Sequence, residues 1–208
     1  MAYPERELAA LHGEMRACRR CLQAGHEIVP GAVFSGPATA RVMVVGQAPG
    51  VTESEVGRPF NASSGRRLFA WLAQAGWEET AFRRTQYLTA VTKCYPGKSG
   101  KGDRVPSRAE QALCAPFLER ERALVRPALL LPVGGLAVRL LLRPVLGAKG
   151  VKRLGDVIGR AFVDETGCRI VPLPHPSGAS LWLNRPENRA LVDRALEHVR
   201  RYSEELYR

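Results

Sequence analysis

No apolar run in the chain approaches the roughly 20 residues a helix needs to cross a bilayer, which excludes a helical membrane span. Its first residues, "MAYPERELAALHGEMRAC", are charged and lack the apolar core of a secretory signal, so cytoplasm is the expected location. There is no internal repeat, no low-complexity tract and no convincing linker, which excludes an array or a long disordered tether. One domain over residues 1–208 is expected, with ample material for a core. Apolar and charged fractions of 45% and 25% are those of an ordinary soluble globular protein, so disordered and fibrous classes drop out.

Acidic charge is scarce: 20 Asp and Glu face 31 Lys and Arg, giving a net charge of +11. Arginine dominates it, in "RACRRC", in "GRRLF", at Arg83–Arg84 and at Arg200–Arg201, with Lys98, Lys101 and Arg104 in one loop. Charge alone leaves two readings open, a solvated surface or a footprint for a phosphate backbone. Disulfides are not expected of five cysteines in a cytosolic chain. Cys18 and Cys21 form C-x-x-C, but a second tight pair is missing, which opposes a zinc-ribbon-like module. Cys94 follows an apolar run and Cys114 lies in a helical pattern, so four thiols from separate segments can converge on a tetrahedral metal or a cubane cluster. The alternative is isolated small hydrophobes, and the arginine-flanked turn favours metal. Spacing alone does not separate zinc from iron–sulfur. Cys168, in "GCRIVPLP", reads as a packed thiol.

Four short apolar runs read as buried strands: residues 41–46, 86–92, 128–134 and 169–174. Helical patterns separate them. "SGRRLFAWLAQAG" puts Leu68, Phe69, Leu72 and Ala75 on one face and stops at Gly76; "PSRAEQALCAPFLERERALV" opens with the capping pair Ser107 and Glu110. Further helices are expected in "GGLAVRLLL", in "PENRALVDRALEHVRRYSEEL" with Pro186 near its start, and over residues 5–17. Strands alternating with helices predict an α/β fold, with a mostly parallel sheet and helices on both faces. Ligands then bind beyond the carboxyl ends of the strands, which the loops at 46–60, 93–106, 134 and 174–184 border. The first loop, "GQAPGVTESEVGRPF", exceeds the two to six residues of a plain strand-to-helix turn.

Taken in order, "CRRC", "VMVVGQAPG…GRPFNASSGRRL", "YLTAVTKCYPG", "PSRAEQALC" and "LPHPSGAS" resemble the iron–sulfur uracil-DNA glycosylases, families 4 and 5 of their superfamily, over nearly the whole chain. The resemblance implies a [4Fe–4S] cluster on Cys18, Cys21, Cys94 and Cys114. It also implies a three-layer α/β/α sandwich around a four-stranded parallel sheet. DNA is the implied partner, and a monomer is the plain expectation. Enzymes that act on a base extrude it into a pocket. Here Gln47 and Ala48 would face its carbonyl edge, Phe60 would stack on it and His175 would donate to a base oxygen. Leu181 or Trp182 would enter the minor groove beside Ser177, and Lys98, Lys101 and Arg104 would contact phosphate. Plain alternatives stand beside several of these: a core anchor for Phe60, ordinary packing for Leu181 and Trp182, a mobile solvated loop for the three basic residues.

Two positions depart from the pattern. Gln47 stands where family 4 usually carries Glu, and an amide cannot accept a proton as a general base. Glu53 is then a candidate to orient water, against the plainer reading of a loop-capping charge. Ala90 stands where family 4 has an Asn that reads the base edge, so base choice is expected to be relaxed, toward hypoxanthine or xanthine beside uracil. The basic loop carries no His, which a related variant uses to form a covalent bond with the abasic sugar; hydrolysis is expected. No lysine stands at a recognisable Schiff-base position. The expectation is a monofunctional DNA glycosylase acting in base excision repair, and the competing one a lesion-binding iron–sulfur protein that cuts nothing.

Overall fold

The computed structural model describes residues 3–100, 102–177 and 181–207. The apolar runs form β1 (Val42–Gly46), β2 (Tyr87–Ala90) and β5 (Leu129–Pro132), buried throughout, and the short β7 (Arg169–Ile170). They pair in parallel in the order β2-β1-β5-β7. Parallel pairing continues past β7, where Val171 and Leu173 donate to the carbonyls of Leu130 and Pro132, so the fourth run reaches the same sheet edge as the others. The expected four-stranded parallel sheet is there, and β6 (Phe162–Val163) adds a fifth, antiparallel strand at its edge. A separate two-stranded hairpin, β3 (Lys98–Ser99) and β4 (Gly102–Asp103), rises from the loop after β2.

Successive strand residues face opposite layers. Met43 and Val45 point to one side, against Leu8, Leu11 and Met15 of α1 (Tyr3–Ala17), Phe117 of α6 (Arg108–Val125) and Val138 of α7 (Gly135–Leu146). Val42 and Val44 point to the other, against Leu68 and Leu72 of α4 (Ser63–Gln74), Phe82 of α5 (Glu79–Thr85) and Val192 and Val199 of α8 (Pro186–Leu206). The sheet is therefore the middle of three layers. Cys168 is buried within the first side, as expected.

Two helices, α6 and α5, start on side-chain caps. Ser107 Oγ accepts from the Glu110 amide at 3.2 Å and Glu110 returns the contact to the Ser107 amide at 2.6 Å, closing the capping pair of α6. At α5, the Glu78 carboxylate takes the amides of Thr80 and Ala81, both at 2.7 Å. The 46–60 segment, expected as a loop, contains the six-residue helix α3 (Val51–Val56), and four residues after Cys18–Arg19 form α2 (Arg20–Gln23). No described helix is long and apolar enough to cross a membrane.

Candidate active site

Where β1, β2 and β5 end, their loops enclose a cavity of about 430 Å³, within the usual range for small-ligand sites. Gln47, Ala48, Glu53, Phe60, Ala90, Arg104, His175 and Ser177 all line it, so the structure brings together eight of the residues singled out in the sequence.

Phe60 is held in an unusual way. Its backbone lies in the left-handed region, φ 51°, where a side chain with a Cβ is strained. Arg83, from α5, donates to the carbonyls of Pro59 and Phe60, each at 2.7 Å. The same guanidinium pairs with Glu79 at 2.8 Å and lies over the Phe69 ring at 4.1 Å. The Phe60 ring edge then covers Gly46: a Cβ there would stand 3.0 Å from Phe60 Cζ. Arg83 was visible in the sequence only as surface charge; its role arises from a helix that carries one buried residue, Phe82, and thus almost no periodic signal.

His175 borders the cavity, open to it on one side and packed by protein on the other. Burial lowers its pKa below the ordinary imidazole value, and Glu53 opposes the shift. The Ser177 amide donates to Nδ1 at 3.2 Å. A neutral ring that accepts at Nδ1 carries its proton on Nε2, so the side chain is a fixed hydrogen-bond donor.

Glu53 is 8% exposed, and one carboxylate oxygen accepts from the Gly50 amide at 2.9 Å. That contact closes the first turn of α3, which is the capping role weighed above. Asp103, on the hairpin, was not singled out from the sequence. A Cβ on Gly50 would lie 2.6 Å from Glu53 Oε2 and 3.0 Å from Asp103 Oδ2, so two carboxylates flank the same glycine. Asp103 Oδ1 accepts from the Tyr95 hydroxyl at 2.9 Å, and Asp103 lines the cavity. The signal available in the sequence was a lone acid inside the basic, glycine-rich stretch "KSGKGDR".

The residues expected on phosphate behave differently from one another. Lys98 is exposed on β3, whereas Arg104 is engaged within the chain. Its guanidinium takes both oxygens of Glu110, at 2.6 and 2.7 Å, and the Glu27 carbonyl at 2.9 Å. That pairing holds the Glu110 carboxyl down at about 2 and ties Arg104 within the chain, where it also lines the cavity. Lys101 lies outside the described residues, as do Gly178, Ala179 and Ser180 of the "GASLWLN" loop. Leu181 is 76% exposed, while Trp182 packs against the second core layer and its carbonyl accepts from Asn188.

Cys18, Cys21, Cys94 and Cys114 line a second, smaller cavity of about 30 Å³ with Thr92 and Lys93. Burial raises the Cys21 and Cys94 thiols and pushes Cys114 up to about 11. The Lys93 amide donates to Cys114 Sγ at 3.4 Å, and the buried Thr92 hydroxyl has no partner among the described residues. Among those residues no three His, Cys, Asp or Glu side chains form a group that could hold a single metal ion. Between the two cavities lies a buried polar chain. Lys93, 2% exposed, pairs with the fully buried Glu121 at 2.6 Å and donates to Thr89 Oγ1 and the Ala90 carbonyl. Glu121 also accepts from Tyr87 and Thr89, and Tyr87 meets His12 at 2.8 Å.

A family model described as "Uracil DNA glycosylase superfamily" matches residues 33–200. The chain is 30% identical over 158 residues to a type-4 uracil-DNA glycosylase of Pyrobaculum aerophilum, covering 75% of this chain and 74% of that one. It is 26% identical over 199 residues to the type-4 uracil-DNA glycosylase of Sulfurisphaera tokodaii, covering 93% and 83%. A type-5 uracil-DNA glycosylase of Pyrobaculum aerophilum is 30% identical over 177 residues, covering 80% and 72%. With its three layers, its cavity at the strand ends and matches that run through both, the chain belongs to the uracil DNA glycosylase superfamily.

Proposed function

We propose that the protein is a monofunctional DNA glycosylase that removes deaminated bases, acting in the cytoplasm as a step of base excision repair. The observation that carries this reading is the convergence of Phe60, Gln47, Ala90 and a neutral, donor-locked His175 on one cavity at the strand ends. A base turned out of the duplex stacks on the Phe60 ring. His175 Nε2–H donates to a carbonyl oxygen of the base, where negative charge grows as the glycosidic bond breaks. A preorganised donor of this kind is worth ~3–4 kcal/mol, or ~10²–10³ in rate. The Gln47 amide holds the attacking water, and Glu53 fixes the turn that presents Gln47.

The Ala90 methyl leaves the base edge unread on that side. The pocket therefore takes uracil and also the larger hypoxanthine or xanthine, which share a carbonyl for His175. Leu181, exposed on the loop after His175, is the side chain that fills the duplex in place of the flipped base. Ser177 and Lys98 face the backbone, with the net charge of +11 drawing in the duplex.

Cys18, Cys21, Cys94 and Cys114 would hold a [4Fe–4S] cluster. The donor set fits: four thiols from three segments share one cavity, a backbone amide already points at Cys114 Sγ, and the Thr92 hydroxyl stands ready to donate to a cluster sulfur. The cluster's contribution is structural, joining α2 to the segment after β2 and to α6 near the DNA-facing edge.

The test is base release from duplex oligonucleotides carrying uracil, hypoxanthine, xanthine or a mismatched thymine, with His175→Ala beside the wild type. Release of a deaminated base, reduced ~10²–10³-fold in the variant, is expected. Binding to such duplexes without release from any of them would establish a lesion-binding protein instead.

A further inference from the structure

We infer that Asp103, on the β3–β4 hairpin, is the general base of the reaction, taking the proton from the attacking water. The inference rests on the glycosylase reading above and names the group that Gln47 cannot replace. An amide holds water but has no basic lone pair for its proton. Of the acids facing the cavity, Glu53 is 8% exposed and its Oε2 closes the first turn of its own helix on the Gly50 amide, whereas Asp103 is exposed on the hairpin and caps no helix. Asp103 is anchored by a side chain from outside its own turn. The hydroxyl of Tyr95, a residue only 5% exposed, anchors Oδ1 at 2.9 Å. Its other oxygen, Oδ2, has no hydrogen-bond partner among the described residues and stands over Gly50, where the missing side chain leaves it room. A carboxylate fixed through one oxygen and free through the other is the arrangement that positioned proton transfer requires.

The hairpin supplies the rest. Lys98 pairs with Asp103 and Ser99 with Gly102 across it, so the carboxylate rides on a short antiparallel ribbon rather than on a free loop. Its root is fixed at Arg104, whose amide donates to the Gly97 carbonyl and whose guanidinium is held by Glu110 and the Glu27 carbonyl. Arg104 thus positions Asp103 from the next residue, which accounts for an arginine in the basic loop that faces inward.

In the step, the water oxygen bonds to C1′ of the deoxyribose as the C1′–N bond breaks. The electron pair of that bond leaves with the base, and His175 stabilises the charge that reaches its carbonyl oxygen. One water proton passes to Asp103 Oδ2 and the other stays in the new 1′-hydroxyl. The proton on Asp103 returns through solvent to the released base, so the products are the abasic sugar and the neutral base, with the enzyme unchanged.

The test uses the full-length protein in single-turnover base release, on whichever of the uracil, hypoxanthine or xanthine duplexes the wild type cleaves. Asp103→Asn is expected to lower the rate ~10²–10⁴-fold, with duplex affinity within about twofold of wild type. Asp103→Glu is expected to recover part of the loss. Added formate is expected to accelerate Asp103→Ala and leave Asp103→Asn unmoved, because only the smaller side chain opens space for a small carboxylate. Tyr95→Phe, which frees Oδ1, should cost less than Asp103→Asn and should not respond to formate. A wild-type rate in Asp103→Asn overturns the inference while leaving the glycosylase reading standing. A loss of rate matched by an equal loss of affinity, with no rescue by Glu or formate, also overturns it and makes Asp103 a structural residue of the hairpin. Absence of release by the wild type itself overturns the glycosylase reading, and this inference with it.

Discussion

The Arg83 clamp yields a prediction whose size follows from the geometry. Phe60 sits at φ 51°, which costs roughly 1–2 kcal/mol for a residue with a Cβ. Two charge-assisted hydrogen bonds from Arg83, each at 2.7 Å, hold it there, and bonds of that kind are worth about 1.5–3 kcal/mol apiece. The clamp therefore exceeds the strain, and the ring stays over Gly46. With Arg83→Ala the strain is released by rotation of the Phe60 backbone, and the stacking-competent state falls by the same roughly 1–2 kcal/mol. At 1.4 kcal/mol per tenfold, kcat/KM should drop about 5- to 30-fold. Phe60→Ala removes the stack itself, worth about 1–3 kcal/mol per base. In the double variant Arg83 has no ring left to position. Its base release should therefore match Phe60→Ala within about twofold. The assay is single-turnover release across the four proteins, with a thermal melt to establish that each is folded. Losses that multiply instead of merging would refute the clamp and leave Arg83 as a structural residue of α5 alone.

Other outcomes follow from the same site. Ala90→Asn restores a base-reading amide, so release of hypoxanthine and xanthine should fall at least tenfold relative to uracil; equal uracil release by both proteins with no activity on other bases would oppose the role given to Ala90. Cys114→Ser should lower iron and labile sulfide in the purified protein together with its melting temperature, and unchanged iron content would remove Cys114 from the ligand set. Burial first, and Arg16 second, lower the His12 pKa to about 4 from the usual 6.5. Between those values the unfolded chain binds the proton that the folded one refuses, so stability should fall as the pH drops through that window. Urea melts at several pH values should show the slope in the wild type and a flatter one in His12→Gln.

The strands were legible because β1, β2 and β5 are buried on both faces and so read as unbroken apolar runs. The start of α6 was equally plain, since Ser107 and Glu110 carry their cap within four residues. What stayed hidden depends on contacts distant in sequence. α3 begins at a glycine, with no capping side chain of its own, and only the folded turn shows Glu53 closing it. Arg83 reaches back 23 and 24 residues to the carbonyls it holds. Arg104 reads as a solvated cation until Glu27 and Glu110 are brought beside it. Asp103 stands in a run whose neighbours are basic, and its place over Gly50 comes from a hairpin of two-residue strands, too short to show alternation. The order of motifs, in contrast, survives in one dimension, and from it came the cavity residues Gln47, Phe60, Ala90 and His175.

The segment from Thr89 to Cys94 serves two masters. Thr89 and Ala90 wall the cavity at the strand ends, Thr92, Lys93 and Cys94 wall the cysteine cavity, and Lys93 ties the two through Thr89, the Ala90 carbonyl and Glu121. A lineage that changes its base preference at the end of β2 must therefore do so without disturbing an ion pair that has no water to fall back on. Substitutions that keep the backbone and alter only a side chain facing the cavity are the open evolutionary route, and Ala90 is such a position: its carbonyl serves Lys93 while the residue lines the cavity. Diversity in this lineage should gather at that residue and around the mouth, with Lys93 and Glu121 changing together or not at all.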